Sequence, residues 1–330
     1  FHGTNILKTA PFGQAQLAAG ATRKSSYVRE TYEKALDIIA DPEVLEFDSI
    51  AIPGITDSSL TNRLISICEE RGDAMAIVDL AGIYRPTWEN GGSVSQGSVS
   101  TIITTAQTRL LDSSFAASYY PSLLLRDTAG GGEDVVIVPP SVGAVGELAR
   151  SQGLSEPWFA PAGFNRGGIN VLGGGQGPRI VGTNEHLSKK NRDDLYQENI
   201  NPIARFPASG DIVVFGQKTL QQTPSALDRI NVRRLLLFLK RRIGKVSETI
   251  LFDQNVNATW NRFKAQAEKI LQDVQSRLGI TEYKLILDET TTTADLIDRN
   301  ILYAKIKIKP ARAIEYIVVD FVVTRSGIEL

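Results

Sequence analysis

FDSIAIPGITDSSLTNRLISICEERGDAMAIVDL, residues 47–80, decides the fold class. Phe47-Asp48-Ser49-Ile50-Ala51-Ile52 has the composition of a short strand, and Pro53-Gly54 stops it. Leu60, Leu64, Ile67 and Cys68 then fall on one face of a helix; Thr56 or Asp57 can cap its start, and Gly72 stands where a C-terminal glycine belongs. Ala74 through Leu80 is a nearly continuous apolar run, the pattern of a strand covered on both faces. Strand, helix and buried strand make a βαβ unit, which predicts a parallel pair with a right-handed crossover.

Upstream of this unit, Tyr32, Leu36 and Ile39 share a helical face that Asp41-Pro42 ends, while residues 1–26 show little periodicity and read as irregular. Downstream, Trp88 to Ser93 is a turn-rich loop and Thr101 to Leu111 a helix candidate. Ser122–Leu125 and Val135–Val138 read as two buried strands around a Gly130–Asp134 turn that suits a hairpin or short loop. Pro139-Pro140-Ser141 stops the second strand and starts a helix over Val142–Arg150. Residues 157–185, rich in Gly and Pro, predict few regular elements. A short helix over Asp193–Glu198 and a strand over Asp211–Phe215 follow.

The texture changes after Gly216. Ala226–Ile243 predicts a helix, apolar all round at Leu235–Leu239 and therefore buried there. Asn257 can cap a second helix on which Trp260, Phe263, Ala267, Ile270, Leu271, Val274 and Leu278 recur at three- and four-residue spacing up to Gly279. Tyr283–Leu287 is a strand. Leu302, Ala304, Ile306 and Ile308 alternate with Tyr303, Lys305, Lys307 and Lys309, a half-buried strand with an outward lysine row, ended at Pro310. Ile314–Val323 is a last strand, apolar on both faces. The expected architecture is α/β: a mixed, largely parallel sheet with flanking helices over 27–217, then a two-helix and β-strand (α+β) part over 218–330 with an extendable terminal strand.

At 330 residues and 42% hydrophobic, the chain can bury a sizeable core. A formal net charge of -1 argues against a general nucleic-acid binder and leaves little repulsion between copies. With Cys68 as the one cysteine, no intrachain disulfide can form, which fits folding in a reducing cytoplasm. No apolar run approaches the ~20 residues of a membrane span, so no membrane insertion is expected. Phe1 opens the chain with neither Met nor a signal pattern, and residues 1–26 read as the end of a longer upstream region.

Nothing resembles a catalytic, cofactor or metal centre. Gly173-Gly174-Gly175-Gln176-Gly177-Pro178 lacks the Lys-Ser/Thr of a phosphate loop, and Pro178 removes an amide such a loop needs, so it reads as a glycine turn. His2 and His186 have no partner at ligand spacing, and Cys68 sits on an apolar helix face. Glu69-Glu70 and Asp193-Asp194 are sequence neighbours that point apart on a helix. The sharpest charge feature is the basic set Arg229, Arg233, Arg234, Lys240, Arg241, Arg242 and Lys245. Charge alone leaves three readings open: nucleic acid, a solvated helix end, or a docking patch for an acidic surface of another copy. The stretch Glu43–Asp73, including Glu69 and Glu70, could supply that surface. For Arg233 and Arg234 a role inside the fold competes evenly with one between subunits.

The order of certain blocks resembles contractile tail sheath proteins, from roughly Phe47 to the end. The blocks are Ile52-Pro53-Gly54, Arg71-Gly72-Asp73-Ala74 before Ile77-Val78-Asp79, Tyr119-Tyr120-Pro121 before Leu123-Leu124-Leu125-Arg126-Asp127, Val138-Pro139-Pro140-Ser141, and Trp158-Phe159-Ala160-Pro161-Ala162-Gly163. Phe215-Gly216-Gln217-Lys218-Thr219-Leu220, Ile230-Asn231-Val232-Arg233-Arg234-Leu235, Phe252-Asp253-Gln254-Asn255 before Trp260, and Lys309-Pro310-Ala311-Arg312-Ala313-Ile314-Glu315-Tyr316-Ile317 complete the set. The resemblance implies structural roles for Pro53, Gly54, Pro139, Pro140, Pro161, Gly216, Asn231, Trp260 and Pro310. It implies a non-enzymatic subunit that stacks as hexameric rings around an inner tail tube protein, with baseplate and tail terminator proteins as further partners. Contraction from a metastable extended state would drive the tube through a host envelope. The expected location is the virion, after assembly in the host bacterial cytoplasm. Candidate subunit-contact residues are Arg233, Arg234, Arg241, Arg242, Glu69 and Glu70, with Ile317, Val319 and Phe321 on the terminal strand. Without a clear N-terminal arm, this 330-residue chain is expected to be mainly monomeric. The competing readings are an α/β enzyme or nucleotide-binding domain, favoured by saturable nucleotide binding at the Gly54 or Gly143 end of the sheet, and a tube or baseplate component, favoured by narrow tubes or closed discs.

Overall fold

A computed structural model describes residues 27–87, 93–126, 135–169, 179–207 and 210–315. Residues 1–26, the Gly130–Asp134 turn, the Gly173–Pro178 run and all of the last predicted strand beyond Glu315 lie outside the described residues, and so do Ile317, Val319 and Phe321.

The decisive stretch folds as a βαβ unit. β1 (Ser49–Ala51), α2 (Ser58–Arg71) and β2 (Met75–Ile77) place Ser49 beside Met75 and Ala51 beside Ile77 in a parallel pair. Asp57 caps α2 by accepting from the amides of Ser59 (3.0 Å) and Leu60 (3.1 Å). Gly72 closes it in the left-handed region at φ 63°. α1 (Tyr27–Ile39) packs beside α2 through Leu36.

β1 and β2 belong to a five-stranded sheet of order β1-β2-β3-β7-β8, where β3 is Ala116–Tyr120, β7 Ile200–Arg205 and β8 Ile212–Val214. The first four strands are parallel and β8 is antiparallel to β7. The apolar run of β2 needs cover on both faces. Ala76 and Val78 enter one core with Leu60, Leu64 and Tyr120, whereas Met75 and Ile77 enter the opposite core with Tyr119, Ala144 and Leu148. The period of two along a strand produces this division.

β4 (Leu123–Arg126), β5 (Val135–Val138) and β6 (Arg179–Thr183) form a separate antiparallel sheet of order β5-β4-β6. β4 and β5 pair as expected, but they are not two buried strands: Val135 and Val136 are exposed, because the small sheet stands beside the core instead of within it. α3 (Val99–Arg109), α4 (Pro140–Leu154), the single turn α5 (Gly163–Arg166) and α6 (Lys189–Gln197) complete the α/β part. α4 begins with Pro140 at its first turn, two residues before the predicted start.

The predicted helix over Ala226–Ile243 divides into a single turn at Ala226–Asp228 and α7 (Ile230–Glu248). α8 (Asn257–Ser276) packs on it. Asn257 is the first helical residue and Val256 the cap position, so the expected Asn257 cap does not form. After α8, Leu278 takes the left-handed turn at φ 63°. Gly279 serves by its size instead, since a Cβ there would stand 2.6 Å from Val274 and 3.0 Å from Trp158. β9 (Ile280–Ile286) and β10 (Lys305–Pro310) pair antiparallel around the short α9 (Ala294–Asp298), with Lys305, Lys307 and Lys309 exposed as read. α7 faces two ways: Ile230 and Leu237 join the α/β core, while Leu235 and Leu239 pack with Trp158, Trp260, Phe263 and Leu271.

Candidate functional site

Three sequence blocks meet at Asp79. This carboxylate follows β2 and is fully buried. It accepts from the Gly54 amide (2.8 Å), the Ser141 amide (3.2 Å) and the Ser141 hydroxyl (2.6 Å). Gly54 turns at φ 78°, and a Cβ there would stand 3.3 Å from the Pro139 ring. Asp79 therefore holds the turn Pro53-Gly54 against the start of α4 at Pro139-Pro140-Ser141, where the helix N-terminus also favours a negative charge. Burial pushes its carboxyl up to about 6, while Ser141 and the Gly54 amide hold it back from rising further. The arrangement is a mechanical tie that uses every donor aimed at it.

A second group joins the α/β core to the C-terminal part. The Trp158 indole donates to the Arg277 carbonyl (3.0 Å), and the Asn231 amide group donates to the Trp158 carbonyl (3.3 Å). Pro161 is buried just beyond. Gly216 is crowded by Asn201, Pro202 and Tyr196, each about 3 Å from where a Cβ would sit. Asn201 is buried and pairs with both backbone groups of Lys218 (2.7 and 2.8 Å). The Trp260 indole donates to Asn255 (2.7 Å), which itself donates to the Ile301 carbonyl (3.3 Å). Pro310 ends β10 at a register shift. Pro53, by contrast, is exposed.

The basic set lies along and before α7, and its cations engage groups of the same chain. Arg233 stacks on Phe115 at 3.9 Å and donates to the Ser114 carbonyl (3.1 Å) and hydroxyl. Arg234 donates to the Leu148 carbonyl (3.1 Å) and Gln152 (2.8 Å). Burial lowers the pKa of both, to about 10 for Arg233. Arg241 meets Asp48 and the carbonyls of Phe47 (2.9 Å) and Asp73 (3.0 Å), and Lys245 meets Glu46 (3.0 Å). Glu46 and Asp48, two acids of the stretch considered as a surface on another copy, are thus neighbours of α7 within the chain, because α7 crosses the loop before β1. Arg242 is exposed over Phe238 (5.4 Å). Glu69 and Glu70 are exposed on α2, and Glu69 accepts from Ser113 (2.5 Å). His186 is exposed, and Cys68 is buried with its thiol pushed by burial up to about 12. Among the described residues no group of three or more His, Cys, Asp or Glu could hold a metal, and no helix is long and apolar enough to cross a membrane.

Comparison with known proteins gives these contacts a context. Residues 222–324 match the phage tail sheath C-terminal domain. The tail sheath protein of Vibrio phage KVP40 is 38% identical over 192 residues, 57% of this chain and 27% of that protein. The tail sheath protein of Enterobacteria phage T4 is 38% identical over 190 residues, 58% of this chain and 28% of that protein. Over these stretches the chain is similar to phage tail sheath proteins. It spans under a third of the length of the curated sheath proteins it matches. The fold is that of a chain in the anti-feeding prophage baseplate (TM-score 0.66, 20% identity, 89% of this chain and 73% of that one). It is equally that of a sheath chain from an extracellular contractile injection system in its contracted state (TM-score 0.67, 20% identity, 88% and 74%).

One site that sequence reasoning passed over lies where the described chain ends. Glu315 accepts from Arg229 through both oxygens (2.6 and 3.0 Å), from Gln217 (3.1 Å) and from Tyr196 (3.1 Å). The carboxylate raises the Arg229 pKa against the opposing effect of burial. A lone acid at the head of an apolar run was the available signal. Asp79, a lone acid inside Met75-Ala76-Ile77-Val78-Asp79-Leu80, carried a similar one. Glu147 was also missed: it is buried on α4 beside Arg150 (3.1 Å), and burial pushes it up to about 8.

Proposed function

We propose that this chain is the core portion of a structural subunit in a contractile tail sheath. In this reading, copies stack as hexameric rings around an inner tail tube and contract from a metastable extended state to drive the tube through a host envelope. Self-association is the central activity, with tube, baseplate and tail terminator proteins as further partners and the virion tail as the location. The observation that carries the reading is 38% identity with phage tail sheath proteins across more than half of the chain. The fold likeness to chains of contractile assemblies supports it.

Among the candidate contact residues, Arg242, Glu69 and Glu70 present their charged groups outward and suit contacts between copies. Arg233, Arg234 and Arg241 donate to groups of their own chain and fit a supporting role for that surface. Electron microscopy of this chain beside a version extended upstream of Phe1 tests the reading. Wide hollow tubes with sixfold rings from the extended version are expected. Dispersed particles from both, at high concentration and across salt, would overturn it.

A further inference from the structure

The loop between α7 and α8 presents an aromatic ring outward. Phe252 is fully exposed, and Leu251 beside it is 63% exposed. Phe252 also stands in the left-handed region at φ 67°, a conformation that glycine adopts freely and a bulky residue rarely does. Neither burial nor turn chemistry accounts for a phenylalanine at this position. The loop is nevertheless held in place. Asp253 pairs with Arg262 of α8, its amide donates to the Ile250 carbonyl (3.1 Å), and Asn255 donates to the Ile301 carbonyl (3.3 Å). A braced loop tip that carries an outward ring is a preorganised knob.

A recess of matching chemistry lies at the other end of α7. Phe215, with Ala160, Ala162 and Pro202, lines a cleft of about 280 Å³. An apolar cavity of ~150 Å³ is enough for a benzene ring. Phe215 is 44% exposed and stacks with Phe206 (5.3 Å between centroids) and Phe164 (6.1 Å), so a further ring can join an existing aromatic cluster. The outer side of the neighbouring β8 is already occupied, since Val214 donates to the Gly167 carbonyl (2.7 Å) and Ile169 to the Ile212 carbonyl (2.9 Å). Whatever enters the cleft does so by side chains and not by strand addition.

Knob and recess cannot meet within one molecule. Gln217 lines the cleft, and its carbonyl accepts from the Ile230 amide at the first turn of α7 (2.8 Å). The 19 residues of α7, at ~1.5 Å each, then carry the chain roughly 28 Å away, and the stretch from Thr249 to Phe252 can return over only about half of that. We propose that Phe252 of one copy docks in the Phe215 cleft of a second copy. The two surfaces differ, so the contact is heterologous, and it repeats head to tail into a ring or an open helix instead of closing as a two-fold dimer. A second copy is the occupant because ring and recess match in size and chemistry yet stand at opposite ends of one helix. The formal net charge of -1 sets little repulsion against the approach. This contact rests on the self-association proposed above and gives it a named pair of surfaces.

The test keeps both rings and places cysteines beside them in the full 330-residue chain. Gln254→Cys chains are mixed with Lys189→Cys chains, treated with a short bis-maleimide, and read by electrophoresis and by the joined peptides in mass spectrometry. Gln254 and Lys189 are exposed, and Lys189 lines the cleft. Cys68 is buried with its thiol pushed up to about 12, so it does not compete. The mixed 254–189 link should dominate over 254–254 and 189–189 links. Adding Phe252→Gly, which suits the left-handed turn, should cut the mixed link about tenfold without lowering the melting temperature. Equal yields of the three links, no link at all, or a mixed link that Phe252→Gly leaves unchanged would overturn the proposal. The same pair in the chain extended upstream of Phe1 separates this contact from the sheath reading. Tubes without the 254–189 link would sink the contact alone, whereas the link in chains that build no tubes would sink the sheath reading alone.

Discussion

The α/β core and the C-terminal helix pair solve the same packing problem differently. The core covers its main sheet on both faces and ties its loops with buried polar groups: Asp79 between two turns, Glu147 beside Arg150, and Arg71 donating to Asp73 and three carbonyls. The C-terminal part packs Trp260, Phe263, Leu271 and Leu285 around α7 and α8, and its buried residues include no Asp, Glu or Lys among those described after Arg234. Its two-stranded sheet has no third strand among the described residues. The contrast teaches where order comes from in each half. Apolar volume holds the helix pair, whereas directional hydrogen bonds hold the core loops in register.

If apolar volume alone holds the C-terminal part, the largest effect belongs to Trp260→Ala. It should cost about 3–5 kcal/mol in chemical denaturation, because the indole fills the α8 core and also donates to Asn255. A loss under about 1 kcal/mol would break the comparison. On the other side, Asp79→Ala leaves the Gly54 and Ser141 amides without their acceptor and should cost about 2–4 kcal/mol. Asp79→Asn keeps one acceptor and should cost less; equal losses would show that the charge, and not the acceptor, is what matters.

Glu147 sharpens the comparison through pH. Its folded pKa of about 8 lies above the ordinary 4.5, so between those values the folded state holds a proton that the unfolded state has lost. Stability should therefore fall as pH rises from about 4.5 to about 8, with Glu147 contributing at most ~1.4 kcal/mol per pH unit. Glu147→Gln should flatten that slope, leaving the part below about 6 that comes from Asp79. Thermal melts of both proteins across pH decide it: a parent that gains stability over this range would contradict the buried-acid account. The smallest effect is expected at Lys245, whose bridge to Glu46 is more than half exposed at both ends. Lys245→Ala should change stability by no more than about 0.5 kcal/mol, which separates this rim pair from the buried ties.

Local pattern was enough for the βαβ unit, the two long C-terminal helices and the lysine-bearing strand, because each repeats its apolar residues at the period of the element it forms. β3 and β7 were not legible. AASYY has no alternation, and INPIAR places a proline and a buried asparagine inside a central strand, where Asn201 is acceptable only because it donates to the Ser118 and Lys218 carbonyls and accepts from the Lys218 amide. The exposure of β5 was equally hidden, since a short apolar run does not say which sheet it will join.

The sequence by itself determined the α/β class, the order of the blocks and the similarity to tail sheath proteins, all of which depend on residues near one another in the chain or on their order. Only the tertiary structure decided which blocks touch. Gly54, Asp79 and Ser141 are far apart in the chain, and Glu315 is 119, 98 and 86 positions from Tyr196, Gln217 and Arg229. Whether an arginine faces a neighbour or its own chain depends on which carbonyls and carboxylates the fold brings within about 3 Å, a distance that no spacing along the chain encodes.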